Sequence, residues 1–507
     1  MSETEENYNP LNDAKLLGDI NNAFIKKFKT DKNYYIYDVN TNKLFRINKI
    51  VWDCFSDSEE SKKDFSNISN KYGFDKLASA LIQIKKFRNE KKLFSSNRPE
   101  IGMTLSHKEL INLISGNNEM TTLNVSEFCN LRCRYCVYSG IYKDVRTHST
   151  KIMSWEIAKK ALDDFRKNSY NIESPSLTFY GGEPLTNFSI IKKCINYLKP
   201  MGKKYKYHIT TNGILLNQDI LDFMIENNFF IMISIDGPKD IHDNYRVYKD
   251  NKGTFDDVIE IISMIKLYNS DYFKNNILFN CVLTPPFDIQ RVIKFFKADY
   301  FEAGKVGLNL VDFSDTEYFN DNYPKWINEY LEQYEQLMKV YFQLMINSEG
   351  LSKQLVLLTK FLGKKYLSFT KRSDFILGDK LLSQGQCMMG ARRLFVSTDG
   401  IYYPCERIRD RLPIGDVDNG IDLKAICQYM ADYNEIFKDK CRNCYAVRLC
   451  TSKCYRDFLD GDYFSDLYLD KICSINIQQI DSMFSHYLRM IENNPNAFKK
   501  YEMIEIE

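Results

Sequence analysis

Ser126-Glu127-Phe128-Cys129-Asn130-Leu131-Arg132-Cys133-Arg134-Tyr135-Cys136 is the stretch on which the reading of this chain turns. Three thiolates spaced CxxxCxxC can hold three irons of a [4Fe–4S] cube and leave the fourth iron without a protein ligand. An open iron can take a small molecule and pass it an electron. Zinc is one alternative, but it ordinarily wants a fourth Cys or His nearby, and no His follows before His148. Three buried thiols of no consequence are the plainer alternative.

Composition narrows the class. The length of 507 residues allows roughly two to four domains with ample core. Hydrophobic residues at 44% and charged residues at 27% are those of a soluble globular protein. A net charge of +2 gives no reason to expect nucleic acid, and Lys85-Lys86 to Lys91-Lys92 reads as a solvated helix face. Met1 to Pro10 is polar and acidic, without a signal core, and no run of about 18 apolar residues marks a membrane span. The expectation is a cytoplasmic protein. Its 14 cysteines, mostly clustered, then read as metal or cluster ligands rather than disulfides. Cys54, Cys194 and Cys281 fall in apolar periodic segments and are expected to be buried hydrophobes.

The pattern predicts an α/β chain of several units. Residues 1–95 form a small N-terminal domain. Tyr34-Tyr35-Ile36-Tyr37-Asp38 and Lys43-Leu44-Phe45-Arg46-Ile47 make a hairpin around Asn40-Thr41-Asn42. Ile50, Val51, Cys54 and Phe55 follow at helical spacing, and Leu77, Leu81, Ile84 and Phe87 stripe a helix over Phe74 to Lys91. Residues 96–120 read as a linker. Residues 121–320 alternate strands and helices, with strands at Thr121–Val125, Ser176–Tyr180, Tyr205–Thr210, Phe229–Ile235, Ile277–Leu283 and Val306–Val311. Ser154 is the expected cap of a helix to Lys167, with Ile157, Ala161, Leu162 and Phe165 inward. Chemistry is expected at the carboxyl ends of such strands. Residues 321–385 form a helical bridge, 386–475 a Cys-rich region, and 476–507 a terminal segment with a helix from about Gln478 to Ile491.

Several motifs stand at strand ends. Gly181-Gly182-Glu183-Pro184 follows a strand; two glycines permit close backbone approach, and a carboxylate can take an ammonium. Thr210-Thr211-Asn212-Gly213 and Ser234-Ile235-Asp236-Gly237 end the next two strands, and each is also ordinary turn chemistry. His242-Asp243-Asn244-Tyr245-Arg246 precedes Gly253-Thr254-Phe255. Together with the cysteine loop and its aromatic Tyr135, these motifs resemble the radical SAM enzymes. The resemblance implies a partial (β/α)6 barrel and an open iron that chelates S-adenosylmethionine. Reductive cleavage then yields a 5′-deoxyadenosyl radical that abstracts hydrogen. It implies cluster ligands Cys129, Cys133 and Cys136, and cofactor contacts from Tyr135, Gly181, Gly182, Glu183, Asn212, Ser234 and Arg246. Ser234 is favoured over Asn212, and Arg246 would pair with the methionine carboxylate through its fork of donors.

Cys387 and Cys405 are followed by Cys441, Cys444, Cys450 and Cys454 as CxxCxxxxxCxxxC, then by Cys473. This order resembles the SPASM extension with its two auxiliary clusters, for three [4Fe–4S] clusters in all. Carried over, Cys441, Cys444, Cys450 and Cys473 ligate the distal cluster; Cys387, Cys405 and Cys454 hold the near one. Gly378 to Gln386 lacks the further Cys that closes the near cluster in relatives, so a vacant iron is expected there. Cys427 is the local candidate to fill it. A vacant iron could seat a substrate thiolate. The whole resembles thioether-forming, sactipeptide-type maturases of Cys-containing precursor peptides. The N-terminal domain resembles the winged-helix leader-recognition domains fused to them. Partners would be a precursor with a leader and a flavodoxin- or ferredoxin-type electron donor. A formylglycine-forming sulfatase maturase and a carbon–carbon crosslinking maturase are the alternatives. Glu406 is the candidate base, standing where sulfatase-maturing relatives carry Asp.

Overall fold

The computed structural model describes residues 9–56, 63–143, 145–298, 300–301, 305–313, 316–319, 322–347, 352–382, 387–450 and 454–499. The N-terminal residues 1–8, and Ser383–Gln386 of the stretch expected to lack a cluster ligand, lie outside them.

The N-terminal domain is α1 (Ala14–Asn21), β1 (Ile25–Lys29), β2 (Tyr34–Asp38), β3 (Lys43–Ile47), α2 (Lys49–Cys54), α3 (Phe65–Tyr72) and α4 (Phe74–Lys91). The expected hairpin and the helix from Phe74 are present. β1 pairs antiparallel with β2 and completes a three-stranded sheet that sequence reading had left at two. Its Ile-Lys-Lys-Phe-Lys lacks clean alternation, which hid it. Ile36, Val51, Cys54, Leu77, Leu81 and Ile84 are fully or almost fully buried in a core of their own. The following segment is more than a linker: it holds β4 (Glu100–Ile101) and α5 (His107–Ile114). Ser106 and Glu109 form a reciprocal capping box at that helix's start, satisfying two otherwise orphaned donors.

Six parallel strands make up most of the main sheet: β5 (Met120–Ser126), β6 (Ser176–Gly181), β7 (Lys206–Thr211), β8 (Phe230–Ser234), β9 (Ile277–Leu283) and β10 (Val306–Leu310). They stand in consecutive order, each within a residue or so of its expected bounds. Between them run α6 (Trp155–Asn168), α7 (Phe188–Leu198), α8 (Gln218–Glu226), α9 (Lys239–Tyr245), α10 (Phe255–Tyr268), α11 (Ser270–Asn276) and α12 (Ile289–Lys297). Ser154 caps α6 by accepting from Ile157 N, and Ala158, Ala161, Leu162 and Phe165 are its buried face, with Ile157 half-buried. Burying Leu162 and Phe165 stabilises the helix by about 1.5–3 kcal/mol each. β9 alternates strictly, with Ile277, Phe279, Cys281 and Leu283 inward. Cys54, Cys194 and Cys281 are all fully buried, as expected of small hydrophobes.

The helical bridge is α13 (Tyr323–Asn347), α14 (Lys353–Leu362) and α15 (Leu367–Thr370), and the two-residue β11 (Lys380–Leu381) pairs with β4. The main sheet has eight strands rather than six. β12 (Arg393–Val396) pairs parallel with β5, and β13 (Tyr402–Tyr403) returns antiparallel beside it. Thus the Cys-rich region shares a sheet with the strand that leads into the cysteine loop. α16 (Leu423–Arg442) then carries Cys441, and α17 (Leu469–Asn493) carries Cys473. α17 begins well before the expected Gln478, so the boundary at 475 falls inside a helix. The polar Leu-Asp-Lys-Ile-Cys-Ser start concealed it. No helix among the described residues is long and apolar enough to cross a membrane.

Candidate active site

The cysteine loop leaves the carboxyl end of β5 and is held there by β6. Gly182 N–H donates to Ser126 O at 2.7 Å, and Glu183 N–H to Phe128 O at 2.8 Å. A Cβ on Gly181 would meet Ser126 O at 2.2 Å, and one on Gly182 would meet Phe128 O at 2.5 Å. The expected close approach is therefore to the loop's own backbone. Gly181 also sits at φ +149°, where side chains are strained.

Cys133 and Cys136 raise the pKa of Cys129, and Cys133 raises that of Cys136, as neighbouring thiols do. Burial is the larger cause; it pushes Cys129 to about 12, Cys136 to about 11, and Cys133 upward. Neutral thiols crowded together, one buried and two half-buried, are a poor arrangement until a cation takes them as thiolates. That donor set fits three corners of an iron–sulfur cluster.

Glu183 is almost fully buried. Its Oε1 accepts from Leu185 N at 3.0 Å and Thr211 Oγ1 at 2.7 Å, and its Oε2 from Asn212 N at 2.8 Å. Burial pushes its pKa up, against those donors. The carboxylate thus ties β6 to β7 beside Cys129. The Asn212 amide donates to Asn130 Oδ1 at 2.8 Å and lies 3.9 Å from Cys129 Sγ. Ser234 is buried at the end of β8.

Arg246 is buried as well, not a surface residue. Its Nη1 donates to Tyr135 OH at 2.8 Å, and Tyr135 OH donates to Asp236 Oδ2 at 2.7 Å. Asp236 Oδ1 accepts from Val282 N at 2.9 Å. Burial raises the Asp236 and Tyr135 pKa values, and the Arg246 guanidinium opposes this in both. Arg246 Nε has no partner among the described residues, though it is shut away from water. An orphaned guanidinium N–H beside Cys133 fits a carboxylate ligand. His242 stands behind this group. It accepts from Asp236 N at Nδ1 (3.2 Å) and faces Thr254 Oγ1 from Nε2 (2.9 Å). Burial and Arg246 push its pKa down to about 2.

Sequence reading missed Asp236 as a site residue. Its signal was alternation: Ile233 and Ile235 face the core, so Ser234 and Asp236 share the other side. It also missed a polar wall opposite. Tyr138 is buried and Tyr180 half-buried, and both feel Cys136 and Glu406. Arg146 stacks 3.8 Å over the Tyr138 ring and lies 3.1 Å from Asp410. These residues are scattered along the chain, and no local pattern joins them.

Glu406 follows Cys405 directly after β13. Burial raises Cys405 to about 12, with Glu406 and Cys454 adding to it. Cys454 is raised by burial and by Cys387, and eased by Arg456. Cys454 thus lies within electrostatic reach of both Cys405 and Cys387. For the distal set, Asn476 on α17 lies one turn beyond Cys473 and points its amide at Cys450 Sγ, 3.9 Å away. Cys441 and Cys444 close the end of α16. Cys427 faces His107 instead, with Sγ 3.9 Å from Nδ1.

Residues 123–298 match the model of the Radical SAM superfamily. The chain is a radical SAM enzyme. Enzymes of this superfamily use a [4Fe–4S] cluster and S-adenosylmethionine. The chain is 28% identical over 348 residues to a cysteine-type anaerobic sulfatase-maturating enzyme of Clostridium novyi (strain NT), covering 66% of this radical SAM chain and 86% of that relative. It is 24% identical over 412 residues to the radical SAM cyclopropyl synthase TigE of Paramaledivibacter caminithermalis, covering 77% and 78%. The solved structure of native anSMEcpe with bound AdoMet and Cp18Cys peptide has the same fold. It superposes with a TM-score of 0.53 at 20% identity, over 74% of this chain and 99% of that one.

Proposed function

We propose that this radical SAM enzyme is a maturase that oxidises a side chain of a peptide or protein substrate, in the manner of the sulfatase-maturating enzymes. The observation that carries the reading is Glu406. Its carboxylate follows Cys405 and acts on that thiol, and it lies within electrostatic reach of Tyr138 and Tyr180, two rings that also feel Cys136. The similarity to a sulfatase-maturating enzyme supports the same chemistry. In this reading Cys129, Cys133 and Cys136 hold the first cluster, and Arg246, Glu183, Asn212 and Ser234 border S-adenosylmethionine. Cys387, Cys405 and Cys454 hold a near cluster, and Cys441, Cys444, Cys450 and Cys473 a distal one. When bound, these groups supply a 5′-deoxyadenosyl radical that removes one C–H hydrogen and an acceptor for the remaining electron. Glu406 takes the proton from the substrate's hydroxyl or thiol, one methylene further out than an aspartate would.

Residues 1–95 are proposed as a winged-helix-like domain that captures the substrate's leader. β3 is an edge strand with unpaired backbone groups open to an added strand. Beside it lies a groove of about 420 Å³ lined by Lys32, Arg46, Arg372 and Glu492.

A second reading, thioether formation, is favoured by one observation. Cys427, the local candidate for a fourth near ligand, is set against His107, leaving three thiols for the near cluster. The anaerobically reconstituted, reduced enzyme is to be incubated with Ser- and Cys-containing peptides and their masses read. Formylglycine chemistry removes two hydrogens from a Ser peptide, or exchanges sulfur for oxygen with loss of two hydrogens from a Cys peptide. Thioether formation removes two hydrogens, retains sulfur and abolishes thiol alkylation. 5′-Deoxyadenosine formed with no peptide product of either kind refutes both.

A further inference from the structure

One carboxylate at the end of the main sheet holds two separate pieces of the Cys-rich region. Asp312 lies two residues beyond β10. Its Oδ2 accepts from Arg409 Nη2 at 2.6 Å and from Arg456 Nη1 at 2.5 Å. Arg409 stands four residues after Cys405, and Arg456 two after Cys454. Each guanidinium thus lies on a segment that delivers one near thiol. Asp312 is itself anchored: its carbonyl accepts from Tyr142 OH at 2.8 Å, and Tyr142 lies beneath the Arg409 guanidinium at 4.9 Å.

The segment after Cys405 is strained. Arg409, Asp410 and Leu412 have φ of 57°, 61° and 55°, left-handed values that non-glycine residues rarely adopt. Such a run persists only when its surroundings over-determine it. The Arg409–Asp312 pair, with the Arg409 side chain only 4% exposed, and the Asp410–Arg146 pair at 3.1 Å supply that constraint. The two pairs tether the loop to the end of β10 and to the stretch that follows the first cysteine triad.

We infer that Asp312 is the positioning residue of the near thiol site. It sets where Cys405, Glu406 and Cys454 stand against the carboxyl edge of the sheet, and it supplies the counter-charge for two guanidinium groups beside those thiols. The inference rests on the reading of Cys387, Cys405 and Cys454 as ligands of an iron centre. A cluster's potential follows the net charge around it. Removing the carboxylate charge therefore raises the near centre's potential, whereas a scaffold role alone leaves it unmoved.

The test uses the full chain with Cys129, Cys133 and Cys136 changed to Ala, reconstituted anaerobically, so that only the C-terminal centres contribute. Iron and sulfide per chain, the electron paramagnetic resonance spectrum and midpoint potentials are measured. Asp312→Asn is expected to alter the line shape of one centre and shift its potential upward, leaving the other centre unchanged. Asp312→Glu is expected to restore most of the shift. Arg409→Lys keeps the charge but not the fork. It is expected to alter the same line shape, and it stands in should Asp312→Asn fail to fold. Wild-type spectra and potentials in Asp312→Asn overturn the inference, as does an unmoved line shape in Arg409→Lys if that variant has to substitute. Cys387, Cys405 and Cys454 changed to Ala on the same background must lose one centre's iron. If they do not, the ligand reading is what fails.

Discussion

Gly182→Ala tests whether the turn after β6 exists to seat the cysteine loop. The added Cβ would stand 2.5 Å from Phe128 O, 2.7 Å from Phe128 C and 2.8 Å from Glu127 O. All three are backbone atoms, so no side chain can swing aside. The loop must lift, which stretches Gly182 N–H to Ser126 O (2.7 Å) and Glu183 N–H to Phe128 O (2.8 Å). Overpacking of this kind costs about 1–3 kcal/mol. Two backbone hydrogen bonds add about 1 kcal/mol each. The sum, about 3–5 kcal/mol, falls on a local opening. At 1.4 kcal/mol per decade that is roughly a 100- to 4,000-fold change in the opening equilibrium.

Hydrogen exchange over residues 126–136 and 181–183, on iron-free protein, reads that equilibrium directly. Iron per chain after reconstitution reads its consequence at the first triad. Gly307→Ala is the control. Its Cβ would meet only Phe279 O at 3.8 Å and Asn309 Nδ2 at 3.9 Å, ordinary contacts, so a strand alanine there gains about 0.5–1 kcal/mol. Exchange within tenfold of wild type in Gly182→Ala, with full iron binding, would refute the argument that these glycines serve the loop.

Arg246→Ala removes the buried guanidinium whose Nε is orphaned. S-Adenosylmethionine affinity by calorimetry should fall about 10- to 150-fold, the worth of a charge-assisted hydrogen bond, and an unchanged affinity contradicts the assigned pairing. His242, held down at about 2 by burial and by Arg246, takes up its proton only on unfolding between about pH 2 and its ordinary 6.5. The unfolded chain binds more protons in that window, so stability is full above pH 6.5 and falls on acidification, by about 3 kcal/mol at pH 4. His242→Gln should flatten that part of the pH–stability curve, and an identical slope in both proteins rejects the assignment. Arg448→Ala loses donation to Asn40 O at 2.9 Å and Val39 O at 3.3 Å and a contact with the Phe375 ring. About 2–3 kcal/mol should go from the docking of the N-terminal domain, read as faster proteolysis near residues 39–42; an unchanged cleavage rate argues against that docking.

The main sheet was legible because its strands are short apolar runs ended by Gly-containing turns, with helical spacing between them. Cys129 and Gly182 could be read as one constellation because each follows a strand end and strand ends in a parallel sheet converge; Arg246 caps the end of α9, the helix that follows β8. What escaped the sequence is what depends on pairing over distance. β12 is only four residues long, and nothing in Arg393-Leu394-Phe395-Val396 says that it pairs with β5. Asp312, Arg409 and Arg456 are ordinary charged residues until the fold brings them within 3 Å. Asp236 was read as turn chemistry because Asp-Gly needs no other explanation.

The N-terminal domain illustrates the gap between a separate core and a separate unit. Its hydrophobic interior is its own, yet its outer face rests on α17 and on the loop between Cys444 and Cys450. Phe28 of β1 stacks on Phe484 of α17 at 4.2 Å and edges against Tyr445 at 6.5 Å, inside the Cys444–Cys450 loop. The turn between β2 and β3 is gripped by Arg372 from the helical bridge and by Arg448 from that same loop. Asp38 shapes the turn, accepting from Thr41 N and Thr41 Oγ1 at 2.8 Å each, and burial keeps its pKa raised. The groove beside β3 is walled by Tyr487, Ile491 and Glu492 of α17, the helix that carries Cys473. Whatever fills that groove therefore presses on the helix that carries Cys473. Cutting the chain near residue 95 would remove the proposed binding domain and, with it, the packing over Tyr445, Arg448 and Phe484. A truncation that lost both peptide binding and iron would say nothing about which came first, so point changes at Arg448 and along β3 separate the two roles where deletion cannot.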